Sequence, residues 1–213
     1  MIVWHFLFDL ASVGLVPDLL MQSGVMELAR YMIAGSFIAI SGVCARLSKR
    51  PLCRGLIVLA AALLVSAVTY LIGAPAYWGI LHLLGVCMLL YAAARRRWEA
   101  LPGIYACGAT LLIFALTFML PIRVRVGVPF LFPFGLRTAA FASADYYPLL
   151  PWGALFFAAA AGERLGDMPP EKKYASAPRA LAWLSRRSLL IYLVHQPVLF
   201  ALAALLQRAA QGA

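Results

Sequence analysis

Seven apolar runs, parted by short polar or basic stretches, divide the chain. They cover residues 1–16, 27–45, 55–72, 77–94, 103–120, 149–162 and 189–206. The sixth extends towards Leu165 and the seventh is entered from Ser185. None alternates with the period of a strand, and each exceeds the roughly 9–11 residues of a membrane barrel strand. In lipid every backbone N–H and C=O must be paired internally, so the runs are read as helices. The expected fold is all-α: a polytopic membrane helix bundle of about seven transmembrane helices, forming a single integral-membrane domain over residues 1–213.

Composition sharpens this. The chain is 64% hydrophobic and 12% charged, against roughly 45–50% and 25% in soluble domains. That excludes a water-soluble enzyme and also a disordered chain, which needs low hydrophobicity. The net charge of +10 would suggest nucleic acid in a soluble protein. Here the basic residues lie between apolar runs, no recognition motif accompanies them, and no nucleic-acid partner is expected.

The basic residues alternate by loop. Arg46, Lys49, Arg50 and Arg54 follow run two, Arg95, Arg96 and Arg97 follow run four, and Arg164, Lys172, Lys173, Arg179, Arg186 and Arg187 follow run six. The intervening loops hold only Arg30, Arg123, Arg125 and Arg137, with Arg208 after run seven. By the positive-inside rule the rich loops are cytoplasmic, and the C-terminus and the long loop at 121–148 face outward. The expected location is the bacterial cytoplasmic (inner) membrane.

The first run is short of a full crossing. It is read as a helix whose start is missing, with a short, tilted or half-spanning helix as the alternative. Gly35, Ala39, Gly42 and Arg46 share one face of run two, a small-residue contact of the membrane type. Cys44, Cys53, Cys87 and Cys107 form no CxxC pair and read as small hydrophobic filler. The Pro-broken aromatic stretch from Arg123 to Phe134 is expected at the interface, as a lid over an outward cavity. Gln196 and Pro197 suggest a local break in run seven.

Ionisable groups inside spans are costly, roughly 2.5–3.5 kcal/mol each on insertion scales, and usually face a cavity or a partner. All three histidines, His5, His82 and His195, fall in apolar runs. Asp9 lies four residues after His5, on the same helical face. A carboxylate that orients an imidazole makes a general base near neutral pH. Asp145, just before run six, is a further acid of the set, or else an N-cap on that run. Their depths agree, between the midplane and the outer surface. His82 and His195 can equally be interhelical hydrogen bonds. Tyr146, Tyr147, Trp152, Tyr77 and Trp78 fit an aromatic belt. No GxSxG elbow, P-loop, GxGxxG, HExxH or Cys/His cluster is present, so no metal site is expected.

Five segments in order resemble the bacterial relatives of heparan-α-glucosaminide N-acetyltransferase. They are Trp-His-Phe-Leu-Phe-Asp-Leu at 4–10, Gly-Ser-Phe-Ile-Ala-Ile-Ser-Gly at 35–42, and Trp-Gly-Ile-Leu-His-Leu-Leu-Gly at 78–85. Asp-Tyr-Tyr-Pro-Leu-Leu-Pro-Trp at 145–152 and Ser-Arg-Arg-Ser-Leu-Leu-Ile-Tyr-Leu-Val-His-Gln-Pro at 185–197 complete the series. The resemblance implies a membrane acyltransferase that moves an acyl group, most simply acetyl from acetyl-CoA, to a sugar or other polar envelope acceptor. It implies His5 as the catalytic histidine with Asp9 beside it. Asp145 joins the catalytic set, and acyl-transfer chemistry itself asks for a donor to the developing oxyanion on the substrate side, for which His82, His195 or Tyr146 is the candidate. Family members carry an Arg-Gly pair upstream of the histidine, and this chain departs from the pattern by starting after that point. The expected partners are the bilayer, an acyl-CoA donor acting as co-substrate rather than a bound cofactor, and the polar acceptor. A second copy, in a homo-oligomer, is a further candidate. A proton-coupled transporter or flippase built on a His/Asp relay, or a non-catalytic membrane subunit, stays open.

Overall fold

A computed structural model of the chain describes residues 1–165 and 179–211. Lys172 and Lys173 of the third basic cluster lie outside the described residues, as do the side chains of Arg179 and Arg186. Among the described residues the architecture is entirely helical. The elements are α1 (Ile2–Ser12), α2 (Asp18–Met21), α3 (Gly24–Leu47), α4 (Pro51–Leu71), α5 (Ile80–Ala100), α6 (Gly103–Thr117), α7 (Leu120–Arg123), α8 (Leu149–Gly162) and α9 (Arg179–Gln211).

Each apolar run forms a helix. Among the described residues, four stretches, Gly24–Leu47, Pro51–Leu71, Gly103–Arg123 and Arg187–Gln211, are long and apolar enough to cross a membrane. Many of their aliphatic side chains are exposed, among them Leu56, Leu63, Leu64, Leu112 and Leu205. That is the surface an integral membrane protein presents to lipid, because chain tails are as apolar as leucine.

α1 has eleven residues. It ends where Gly14 adopts φ +78°, a left-handed conformation that glycine reaches without steric cost. α9 does not break at Gln196–Pro197; it runs continuously with Pro197 inside it. Proline lacks an N–H, so only the Leu193 carbonyl, four residues back, loses its helical donor, and the flanking turns hold the helix together.

The chain divides into two compact units, residues 1–34 with 176–213, and residues 35–175. In the first, α1 packs on α9. In the second, α4 packs on α5, α6 packs on α8, and α5 touches α8. Small residues permit these approaches. A methyl added at Gly42 would collide with the Phe156 carbonyl oxygen of α8. Arg125 and Arg137 pair as an isolated bridge that closes the long loop, around a 3-10 turn at Pro129–Phe134.

Candidate functional site

Four polar side chains of the first unit, His5, Asp9, His195 and Gln196, meet between α1 and α9. Asp9 is 2% exposed and His195 9% exposed. Gln196 donates its amide N–H to Asp9 Oδ1 at 3.0 Å. The His5 and His195 rings meet edge to face, with centroids 5.1 Å apart. The same-face spacing therefore puts His5 and Asp9 on one flank of α1, and α9 supplies a partner for each: His195 for the imidazole, Gln196 for the carboxylate.

The tautomer of His195 follows from its surroundings. Nδ1 lies in hydrogen-bond contact with the Tyr192 carbonyl, which can only accept. Nδ1 therefore carries the proton, and in the neutral ring Nε2 holds the lone pair. Among the described residues, His195 Nε2, Asp9 Oδ2 and Gln196 Oε1 are buried with no hydrogen-bond partner. Buried polar atoms are normally satisfied, and these three acceptors are able to take a hydrogen bond from a donor. Beside them, the Trp4 ring meets His5 at 5.3 Å and stacks on Phe8. Trp4 and Phe8 line a cavity of about 270 Å³ together with Gln22, Glu27 and Arg30. Gln196 was not among the residues that the sequence singled out for chemistry; its position after His195 reads as a helix break.

The second unit holds the other candidates. Asp145 Oδ2 accepts the Ile80 N–H at 2.9 Å. It thus caps the start of α5 rather than run six, where Pro148 precedes α8 without a side-chain cap. A methyl group on Gly79 would meet this carboxylate oxygen, so glycine there lets the acid reach the helix end. One turn below, His82 Nε2 lies 3.4 Å from Ser66 Oγ. The Ser66 hydroxyl is donated to the Ala76 carbonyl, so Oγ accepts and His82 Nε2 is the donor. Trp78 stacks on the His82 ring at 5.7 Å. Tyr146 donates its hydroxyl to the Phe132 carbonyl at 2.7 Å. Burial pushes this phenol up to about 12, against the pull of Arg137 and Arg125. Among the described residues, no group of three or more His, Cys, Asp or Glu is placed to hold a metal ion.

A half-buried ionic network in the same unit was not visible in the sequence as such. Arg46 pairs with Glu163 at 3.4 Å and with Glu99 at 3.5 Å. Arg95 pairs with Glu99 at 3.1 Å, and Tyr91 donates to the same carboxylate at 2.8 Å. Burial opposes the Glu99 charge, but the Tyr91 hydrogen bond and the Arg95 and Arg46 charges outweigh it and hold this carboxyl below its usual range. Arg164 donates to the carbonyls of Trp98, Glu99 and Leu101, closing the C-terminus of α5.

Comparison with known proteins gives one family. The sequence model described as heparan-alpha-glucosaminide N-acetyltransferase, catalytic, matches residues 1–197. No curated protein and no solved structure gives a significant match.

Proposed function

The chain belongs to the heparan-α-glucosaminide N-acetyltransferase catalytic family, and on that premise we propose that it transfers an acetyl group from acetyl-CoA to a sugar or other polar envelope acceptor. It does so in the bacterial cytoplasmic membrane, with its C-terminus outward. The observation that supports this best is the pairing of His5 with His195 beside three acceptor atoms that have no partner among the described residues.

His5 acts as general base. It takes the proton from the acceptor amine or hydroxyl as that atom attacks the thioester carbonyl. The tetrahedral intermediate collapses, the C–S bond breaks, and the departing thiolate takes a proton from the imidazolium. A nucleophilic role for His5, through an acyl-imidazole, gives the same products in two steps. His195 Nε2, fixed as an acceptor, orients a donor N–H or O–H of the incoming group. The cavity at Trp4 and Phe8 offers a ring face and polar edges for a small acceptor group.

The test uses purified full-length protein in detergent with labelled acetyl-CoA and a cell-envelope extract. His5→Ala should reduce transfer by about 10² or more, the scale for losing a general base. Wild-type transfer by His5→Ala overturns the assignment. Proton-coupled flux without need of an acyl donor favours the transporter.

A further inference from the structure

The turn that joins α3 to α4 stands apart from the candidate site. Lys49, Arg50 and Arg54 are exposed and line a cavity of about 550 Å³ together with Ser48, Leu47 and Ile57. Among the described residues none of the three cations is ion-paired. The neighbouring arginines differ: Arg46 and Arg95 face Glu99 and Glu163, and Arg164 faces backbone carbonyls.

The turn is held from behind. Arg95 donates to the Ser48 carbonyl at 3.0 Å and to the Arg46 carbonyl at 3.4 Å. The Ser48 hydroxyl accepts the Arg50 N–H at 3.2 Å. α4 starts at this point with Pro51, so its N-terminal N–H groups add positive potential to the cavity. Leu47, Leu52, Leu56 and Ile57 beside it are 37–59% exposed. Both helices are long and apolar enough to span, so this end of each meets the headgroup layer.

Uncompensated cations over an open aliphatic face match an amphiphile with an anionic head. We propose that this turn is a binding site for the phosphate of an anionic phospholipid, with Lys49, Arg50 and Arg54 on the phosphate and Leu47 and Ile57 along the acyl chain. A free phosphate ester has the same head chemistry but no use for the aliphatic face.

Native mass spectrometry of the full-length protein in detergent separates these sources, with phosphatidylglycerol, phosphatidylcholine, coenzyme A and inorganic phosphate as probes. Phosphatidylglycerol should bind well above the other three. Changing Lys49, Arg50 and Arg54 together to Gln should weaken it by about 100-fold, on the scale of juxtamembrane basic residues. Changing the exposed Arg96 and Arg97 to Gln should weaken it by less than about 3-fold, because they lie outside the cavity. Replacing Arg50 and Arg54 by Lys keeps the charge and should preserve binding, which separates loss of charge from loss of fold. Equal losses in the two Gln variants, or equal binding of phosphatidylcholine, overturn the site. Coenzyme A or inorganic phosphate binding as tightly as phosphatidylglycerol overturns the lipid assignment.

Discussion

Gln196 of the last helix donates a hydrogen bond to Asp9 of the first, 3.0 Å across 187 positions of sequence. Hydrogen bonds between membrane helices contribute about 0.6 kcal/mol on average, and one to a carboxylate contributes more, about 1.5–3 kcal/mol. A double-mutant cycle of Asp9→Ala and Gln196→Leu, read by denaturation in detergent, should therefore give a coupling of about 1 kcal/mol. Additive effects would show that the pair does not join the two helices energetically.

Arg46 and Arg95 are not equivalent. Glu163, with its side chain 3% exposed, has Arg46 as its ion-pair partner among the described residues, whereas Glu99 has both arginines and Tyr91. Arg46→Met strands a buried carboxylate and should cost about 3 kcal/mol. Arg95→Met leaves Glu99 two partners and should cost about 1 kcal/mol. Thermal unfolding in detergent orders the two, and the reverse order sinks the reading.

Asp145 and Gly79 form one device at the start of α5. Asp145→Ala should lower stability by about 1 kcal/mol, the usual cost of losing a cap, and Asp145→Asn by less. Gly79→Ala should cost at least as much as Asp145→Ala by displacing the carboxylate. In the Asp145→Ala background the Gly79 change should become nearly neutral, since the atom it meets is gone. A Gly79→Ala penalty that persists there would place its cause elsewhere.

Glu99 carries a pH dependence of definite sign. Its carboxyl is held below the usual range, burial notwithstanding, by Tyr91, Arg95 and Arg46. A folded-state pKa below the unfolded one gives stability that is full above the unfolded value, about 4.3, and is lost as pH falls through the folded value. Wild-type protein should therefore lose more stability than Glu99→Gln between pH 7 and about pH 3. Parallel curves would remove Glu99 from the acid response.

The orientation is checked directly. In a background with the native cysteines replaced, Lys172→Cys should resist an impermeant thiol reagent on intact cells, and Gly212→Cys should react. This follows from the loop-by-loop alternation of basic residues, and the opposite labelling reverses it.

The helices were readable because lipid leaves an apolar run of this length one option. His5 and Asp9 stood out for the same reason, as polar groups at helical spacing in an apolar helix. Of their partners, His195 stood out in the same way and Gln196 did not. Gln196 read as part of a proline break, because a chain alone does not tell that α9 continues through Pro197. Asp145 lies next to run six in sequence, yet its hydrogen-bond partner is Ile80, 65 residues earlier. Glu99 and Glu163 were hidden among basic loops whose charges serve as topology signals. Their separation from Arg46 in the sequence gives no hint of the pairing. Cys44 and Cys53 read as filler but are exposed, at the edge of the basic turn.

The cap on α5 also has a consequence for biosynthesis. Ile80 leaves the ribosome 65 residues before the carboxylate that receives its N–H. At roughly 5–20 residues per second, the helix waits about 3–13 s with that end uncapped. Through this interval, while α6 and the long loop are being made, the first turn of α5 depends on water or the insertion machinery for its hydrogen bonds.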